Sequence, residues 1–268
     1  MNLAYALATV LPVTKPPEGF DAPGLEIFET GCLIGKGDYC LNRIGLLMII
    51  GALIVCALFI VAFRTPKLVP TGLQNLLEAG VDFIRNDIAK EVIGQEGVRY
   101  VPLLASIFFT VFFWNIFGIV PGIQLPATSR MAIPLVLALL VWLGFNAAGM
   151  KHQGVGHYFK NTLFPPGVPK ALYLLLTPIE FVSVFLVRPL TLSVRLLANM
   201  MAGHLILTIF FLGSYYLLFH WYTIPFGIAS FAMGTALIGF EMLVAVLQAY
   251  IFTILTAVYI GGAIHPDH

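Results

Sequence analysis

The chain has 268 residues, of which 59% are hydrophobic and only 10% charged, and its mean hydropathy is +0.94. A water-soluble domain carries about 25% charged residues, so this chain lacks the polar surface to stay dissolved. Its net charge of +1 offers no basic patch for nucleic acid, and no Gly-rich loop ends in Lys-Ser or Lys-Thr, which excludes nucleotide chemistry on this chain.

Residues 1–43 read as an extracytoplasmic N-terminal segment. The run opening at Met1 has no basic flank and is not read as a cleaved signal peptide. Cys32 and Cys40 enclose Gly35 and Gly37, where the chain can turn back, and are a candidate disulfide on the oxidising side. Cys56 lies inside an apolar run as a small hydrophobe.

From residue 44 onward the pattern is that of a single membrane domain with an all-α fold. Residues 44–63 form an uncharged stretch of the length a helix needs to cross roughly 30 Å of hydrocarbon. Residues 71–93 then place apolar side chains at Leu73, Leu77, Ile84, Ile88 and Val92, with Glu78, Asp82, Arg85 and Lys90 between them. That periodicity predicts an amphipathic helix lying on the membrane surface. Apolar runs at 101–120 and 131–150 read as a helical hairpin, followed by a polar stretch from Lys151 to Lys170. Two long and tilted spans, 171–212 and 225–264, complete a set of about five, with the break near Gly213 to Pro225.

Lys and Arg favour the cytoplasmic face. With the N-terminus outside, Arg64, Lys67, Arg85, Lys90, Arg99, Lys151, Lys160, Lys170 and Arg188 fall on that face, and only Lys15, Lys36, Arg43 and Arg130 fall outside. The C-terminus is therefore expected in the cytoplasm. No internal repeat at a fixed period is visible, which weighs against the alternative of a stand-alone ion or solute transporter built from inverted halves.

In the last two spans the only Asp, Glu, Lys or Arg residues are Glu180, Arg188, Arg195 and Glu241. Arg195, between Leu-Ser-Val and Leu-Leu-Ala, is a permanent charge at a depth where insertion costs roughly 2.5–3.5 kcal/mol. At 100° per residue Arg188, Arg195 and Asn199 share one stripe, whereas His204 faces away from it. Glu241 and Gln248, seven apart, form a polar seam on the last helix. Glu241 needs a partner from another helix, and His204 is the titratable candidate. Asn115, Thr191 and Ser193 are candidate channel-lining residues, and Asn146 joins them as a group able to hydrogen-bond across helices. One fixed charge beside a separate series of groups that gain and lose protons is what a gated proton path requires. His152 and His157 lie in the polar loop as solvated residues. No His-Glu-x-x-His, Cys-x-x-Cys or Gly-x-Ser-x-Gly is present, so nothing points to a metal, a cofactor or a hydrolase nucleophile.

The run from Arg188-Pro-Leu-Thr through Arg195-Leu-Leu-Ala-Asn199 to Gly203-His204 resembles subunit a of the F-type ATP synthase membrane sector. So do Phe240-Glu241 and Leu247-Gln248-Ala249-Tyr250, and upstream Pro178-Ile179-Glu180 and Trp114-Asn115. The resemblance implies a proton-conducting, non-catalytic stator subunit with two offset half-channels. It would work against a ring of c subunits, beside b-type peripheral-stalk subunits, in the plasma (inner) membrane of a bacterium rather than in a mitochondrion. It implies that Arg195 faces the ring and that Asn199, His204, Glu241 and Gln248 line the path to the outer surface. Many bacterial relatives carry the acid on the earlier helix and the histidine on the later one; here they are exchanged. Where some relatives have an aspartate three residues after the asparagine, this chain has Gly118.

Overall fold

The computed structural model describes residues 32–34, 41–64, 67–120, 131–164, 172–219 and 221–265. The first elements are two short antiparallel strands, β1 (Cys32–Ile34) and β2 (Leu41–Asn42), with Cys32 opposite Asn42. The chain does turn back here. The candidate Cys32–Cys40 bond lies outside the described residues.

The rest is helical. α1 (Arg43–Phe63) is apolar all round and exposes Leu53, Ile60 and Val61, the surface of a helix bathed in hydrocarbon. It meets α3 (Val101–Ile119) at Gly51, where any Cβ would strike the Trp114 ring, and Trp114 Nε1 donates to Met48 O at 3.3 Å. Between them, α2 (Leu73–Phe83) continues as a π-helical segment (Ile84–Lys90) and buries Leu77, Ile84, Ile88 and Ala89. Its charged residues stay outside: the face alternation read from residues 71–93 is a real amphipathic helix.

α4 (Ala132–Gln153) ends at Gly154, whose φ of 83° turns the chain into α5 (Val155–Leu163). The stretch read as a polar loop thus contains a helix, because Tyr158 buries its ring against Gly149. α6 (Tyr173–Val182), a π-helical segment (Ser183–Val187) and α7 (Arg188–Leu218) follow as one helical run of 46 residues. α8 (Ile224–Ile264) and the short 3-10 turn before it make another of 44. At 1.5 Å per residue such runs measure about 65–70 Å, more than twice the roughly 30 Å of hydrocarbon.

α7 runs on to Leu218 and α8 begins at Ile224, so the helix break does not begin at Gly213. Gly213 stays helical because the hairpin is stitched beyond it: Ser214 Oγ donates to Gly227 O (2.9 Å), Ser230 Oγ to Phe210 O (2.8 Å) and Thr223 Oγ1 to Leu217 O (2.7 Å). α7 and α8 make the most extensive pairing in the molecule, with α3 and α4 packed across them. Among the described residues five helical runs are long and apolar enough to cross a membrane, and the architecture is that of an all-α membrane protein.

Candidate functional site

The middle of the long α6–α7 run carries Arg195 on an exposed face. Among the described residues it forms no ion pair and no hydrogen bond. The buried side of the helix holds Leu192, Ser193 and Leu196, all essentially inaccessible, and His204, 7% exposed and half a turn round from Arg195. The helical period therefore separates arginine from histidine. Ser193 Oγ donates to Leu190 O (2.9 Å), and the exposed Thr191 hydroxyl donates to Val187 O (2.8 Å) and Arg188 O (3.1 Å); both are bound to their own helix.

On one side of Arg195 along α7 opens a cavity of about 170 Å³, framed by α3, α7 and α8 and lined by Asn115, Asn199, Gly203, Ile206, Glu241 and Ala245 among others. Three positions read from sequence meet here: Asn115, Asn199 and Glu241. Asn115 is 1% exposed, and among the described residues its Oδ1 has no hydrogen-bond partner; Gln248 Nε2, one turn beyond Ala245 on α8, is likewise buried without one there. Buried polar atoms left this way are costly unless something polar reaches them.

His204 does have a partner of its own, but among the described residues Glu241 is seen in no ion pair. Its carboxylate lies instead against Gly203, where an added Cβ would collide with Oε1. The absent side chain at 203 makes room for the carboxylate, and His204, one residue on, is turned about 100° further round the helix.

On the other side of Arg195 lies a larger cavity of about 510 Å³ at the end of α8, lined by Glu180, Val184, Arg188, Tyr158, Val258 and His265 among others. Arg188 is half-buried and sits over the rings of Phe145 (5.9 Å) and Tyr259 (5.1 Å). Tyr158 donates to Asn146 Oδ1 at 2.9 Å, and burial pushes its phenol above the ordinary range against smaller opposing pulls from Thr162 and Arg188. It remains a neutral donor. Nearby, Gln153 Nε2 donates to Ala263 O (2.7 Å), and the exposed His152 places its Nε2 3.2 Å from the exposed Glu96 Oε2.

With an arginine standing between two cavities along one helical run, comparison with known proteins is decisive. The profile of the family described as ATP synthase A chain matches residues 45–261. The chain belongs to that family. It is 46% identical to ATP synthase subunit a of Frankia alni over 97% of this chain and 91% of the relative. The protein of the same name from Rhodococcus erythropolis is 43% identical, over 97% and 96% respectively. That from Streptomyces lividans is 42% identical, over 93% and 90%.

In this ATP synthase A chain relative, sequence reasoning overlooked two features of the site. Glu180 was noted only as one of the few charges in the long spans and in the resemblance, without a role, although its place in the larger cavity makes it the acidic group there. Gly203 entered only as a member of the matching run, without a role of its own, since a glycine in a membrane helix is ordinary until a carboxylate is found against it. Among the described residues no three His, Cys, Asp or Glu side chains converge as a metal site would need.

Proposed function

We infer that this chain is the proton-conducting stator subunit of an F-type ATP synthase, itself without a catalytic step. The observation that carries the reading is positional. One cavity touches α7 at residues 199–207, the other touches the same run at 180–188, and Arg195, unpaired among the described residues, stands between them. Two separate pockets offset along a helix, with a fixed cation between, would pass protons only if a mobile carrier bridged them.

The carrier is a carboxylate on a ring of c subunits. A guanidinium stays charged at any physiological pH, so Arg195 attracts each ring carboxylate and favours its ionised form, and it repels a proton moving directly between pockets. Protons enter the outer pocket along Asn115, Glu241, Gln248, His204 and Asn199, with the two orphaned buried atoms as water-binding points. They leave through the larger pocket past Glu180. The N-terminus lies outside and the C-terminus in the cytoplasm of a bacterium, and b-type stalk subunits hold the chain against rotation. Each proton crossing releases about 2.3 kcal/mol per 100 mV, which becomes torque on the ring.

Cysteine accessibility tests this. In the assembled complex with the native cysteines replaced, Ile206→Cys is expected to react with a membrane-impermeant thiol reagent from outside only, and Val258→Cys from the cytoplasm only. A position labelled equally from both faces would mean a continuous pore and would remove the half-channel reading.

A further inference from the structure

We propose that Trp142 is a positioning residue for Arg195, its indole N–H holding the π-turn that sets the face on which α7 carries the arginine. The proposal rests on the role given to Arg195 above but starts from the backbone. At Ser183–Val187 the helix widens by one residue, and the Arg188 N–H bonds to Ser183 O, five residues back. In an α-helix that N–H would have gone to Val184 O. The next donor in the wider register belongs to residue 189, a proline, which has none. Both helical donors for Val184 O are thus lost, and Val184 is 1% exposed, so bulk water does not replace them. Trp142 supplies the missing donor from a different helix: its Nε1 lies 3.1 Å from Val184 O, and its ring meets Phe185 edge-on at 5.8 Å.

The widened turn absorbs one residue between α6, which carries Glu180, and α7, which carries Arg195. Returned to ordinary α register, the downstream helix would be rotated by about 100° relative to the upstream one. Arg195 would then leave its outward face. Trp142 therefore reaches the arginine through the turn, without touching it.

Trp142→Phe in the complete synthase keeps an aromatic ring and removes only the donor. ATP-driven acidification of membrane vesicles is expected to fall about tenfold. Pro189→Ala restores an N–H able to reach Val184 O, so in that background the same Trp142→Phe change is expected to cost less than twofold. Wild-type pumping by Trp142→Phe, or an equal loss in both backgrounds, overturns the proposal. If Trp142→Phe alone fails to assemble, the double variant must restore assembly; its failure also overturns it. The ultraviolet resonance Raman band of the indole N–H, taken as the difference between wild type and Trp142→Phe, should be that of a hydrogen-bonded group, and a free N–H band refutes the bond itself. A bonded band with unchanged pumping would refute the link to Arg195 while leaving the half-channel reading standing.

Discussion

Arg188 and Arg195 lie seven residues apart on one stripe of α7, and the fold treats them in opposite ways. Arg188 is half-buried, with its guanidinium over two aromatic rings and near a phenol kept neutral by burial. Arg195 is exposed, and among the described residues nothing pairs with it. Aromatic faces and protein walls repay part of the cost of an intramembrane cation. The subunit provides them for the first arginine and withholds them from the second. A charge satisfied internally can hold helices together; a charge left unsatisfied remains available to a carboxylate arriving from outside the chain.

The sharpest way to break this contrast is to remove each charge in turn. Arg195→Ala is expected to abolish ATP-driven acidification of vesicles, and Arg195→Lys to lower it at least tenfold, because lysine can be deprotonated and lacks the planar fork. Normal pumping by the lysine variant would show that neither property matters. A smaller effect is expected from the pocket beyond Arg195: Gly203→Ala forces the Glu241 carboxylate to move, and pumping should fall about tenfold while the complex assembles in normal amount. Retained pumping would mean that Glu241 has no fixed place in the path. Smaller again is Arg188→Gln, which surrenders contacts over two rings worth roughly 0.5–2 kcal/mol each. It should lower the thermal midpoint of the complex and reduce pumping only a few-fold. A complete block would make the two arginines equivalent and end the comparison.

How much of this was legible in sequence differs between the two arginines. The apolar runs and the separation of Arg195 from His204 follow from length and a 100° period, which a straight helix obeys whatever surrounds it. The surface helix was visible for the same reason. The helix at Val155–Leu163 was not, because its burial rests chiefly on one ring, Tyr158, against a glycine in the preceding helix. Nor was the aromatic clasp of Arg188: Phe145 and Tyr259 are 43 and 71 positions away in sequence, and only packing brings them together. The π-turn carries no compositional mark except Pro189, which reads equally well as an ordinary helix start. Local periodicity is written in the chain; the phase of one helix relative to its neighbours is settled by contacts between helices.

The smallest expected effect concerns Thr191, which lies between the two arginines and is polar, exposed and therefore tempting as a channel residue. Its hydroxyl already donates to Val187 O at 2.8 Å and is also within 3.1 Å of Arg188 O. A hydroxyl bound back to its own helix satisfies itself in an apolar setting and offers a proton path little. Thr191→Val keeps the branched shape and removes the oxygen. Val187 O can still receive a backbone N–H four residues on, so no buried acceptor is stranded. Pumping should therefore change by less than twofold, and the thermal midpoint of the complex should hardly move. A loss approaching that of Gly203→Ala would place Thr191 in the path taken by protons, and the stretch between the arginines would then be part of the channel instead of the barrier between its halves.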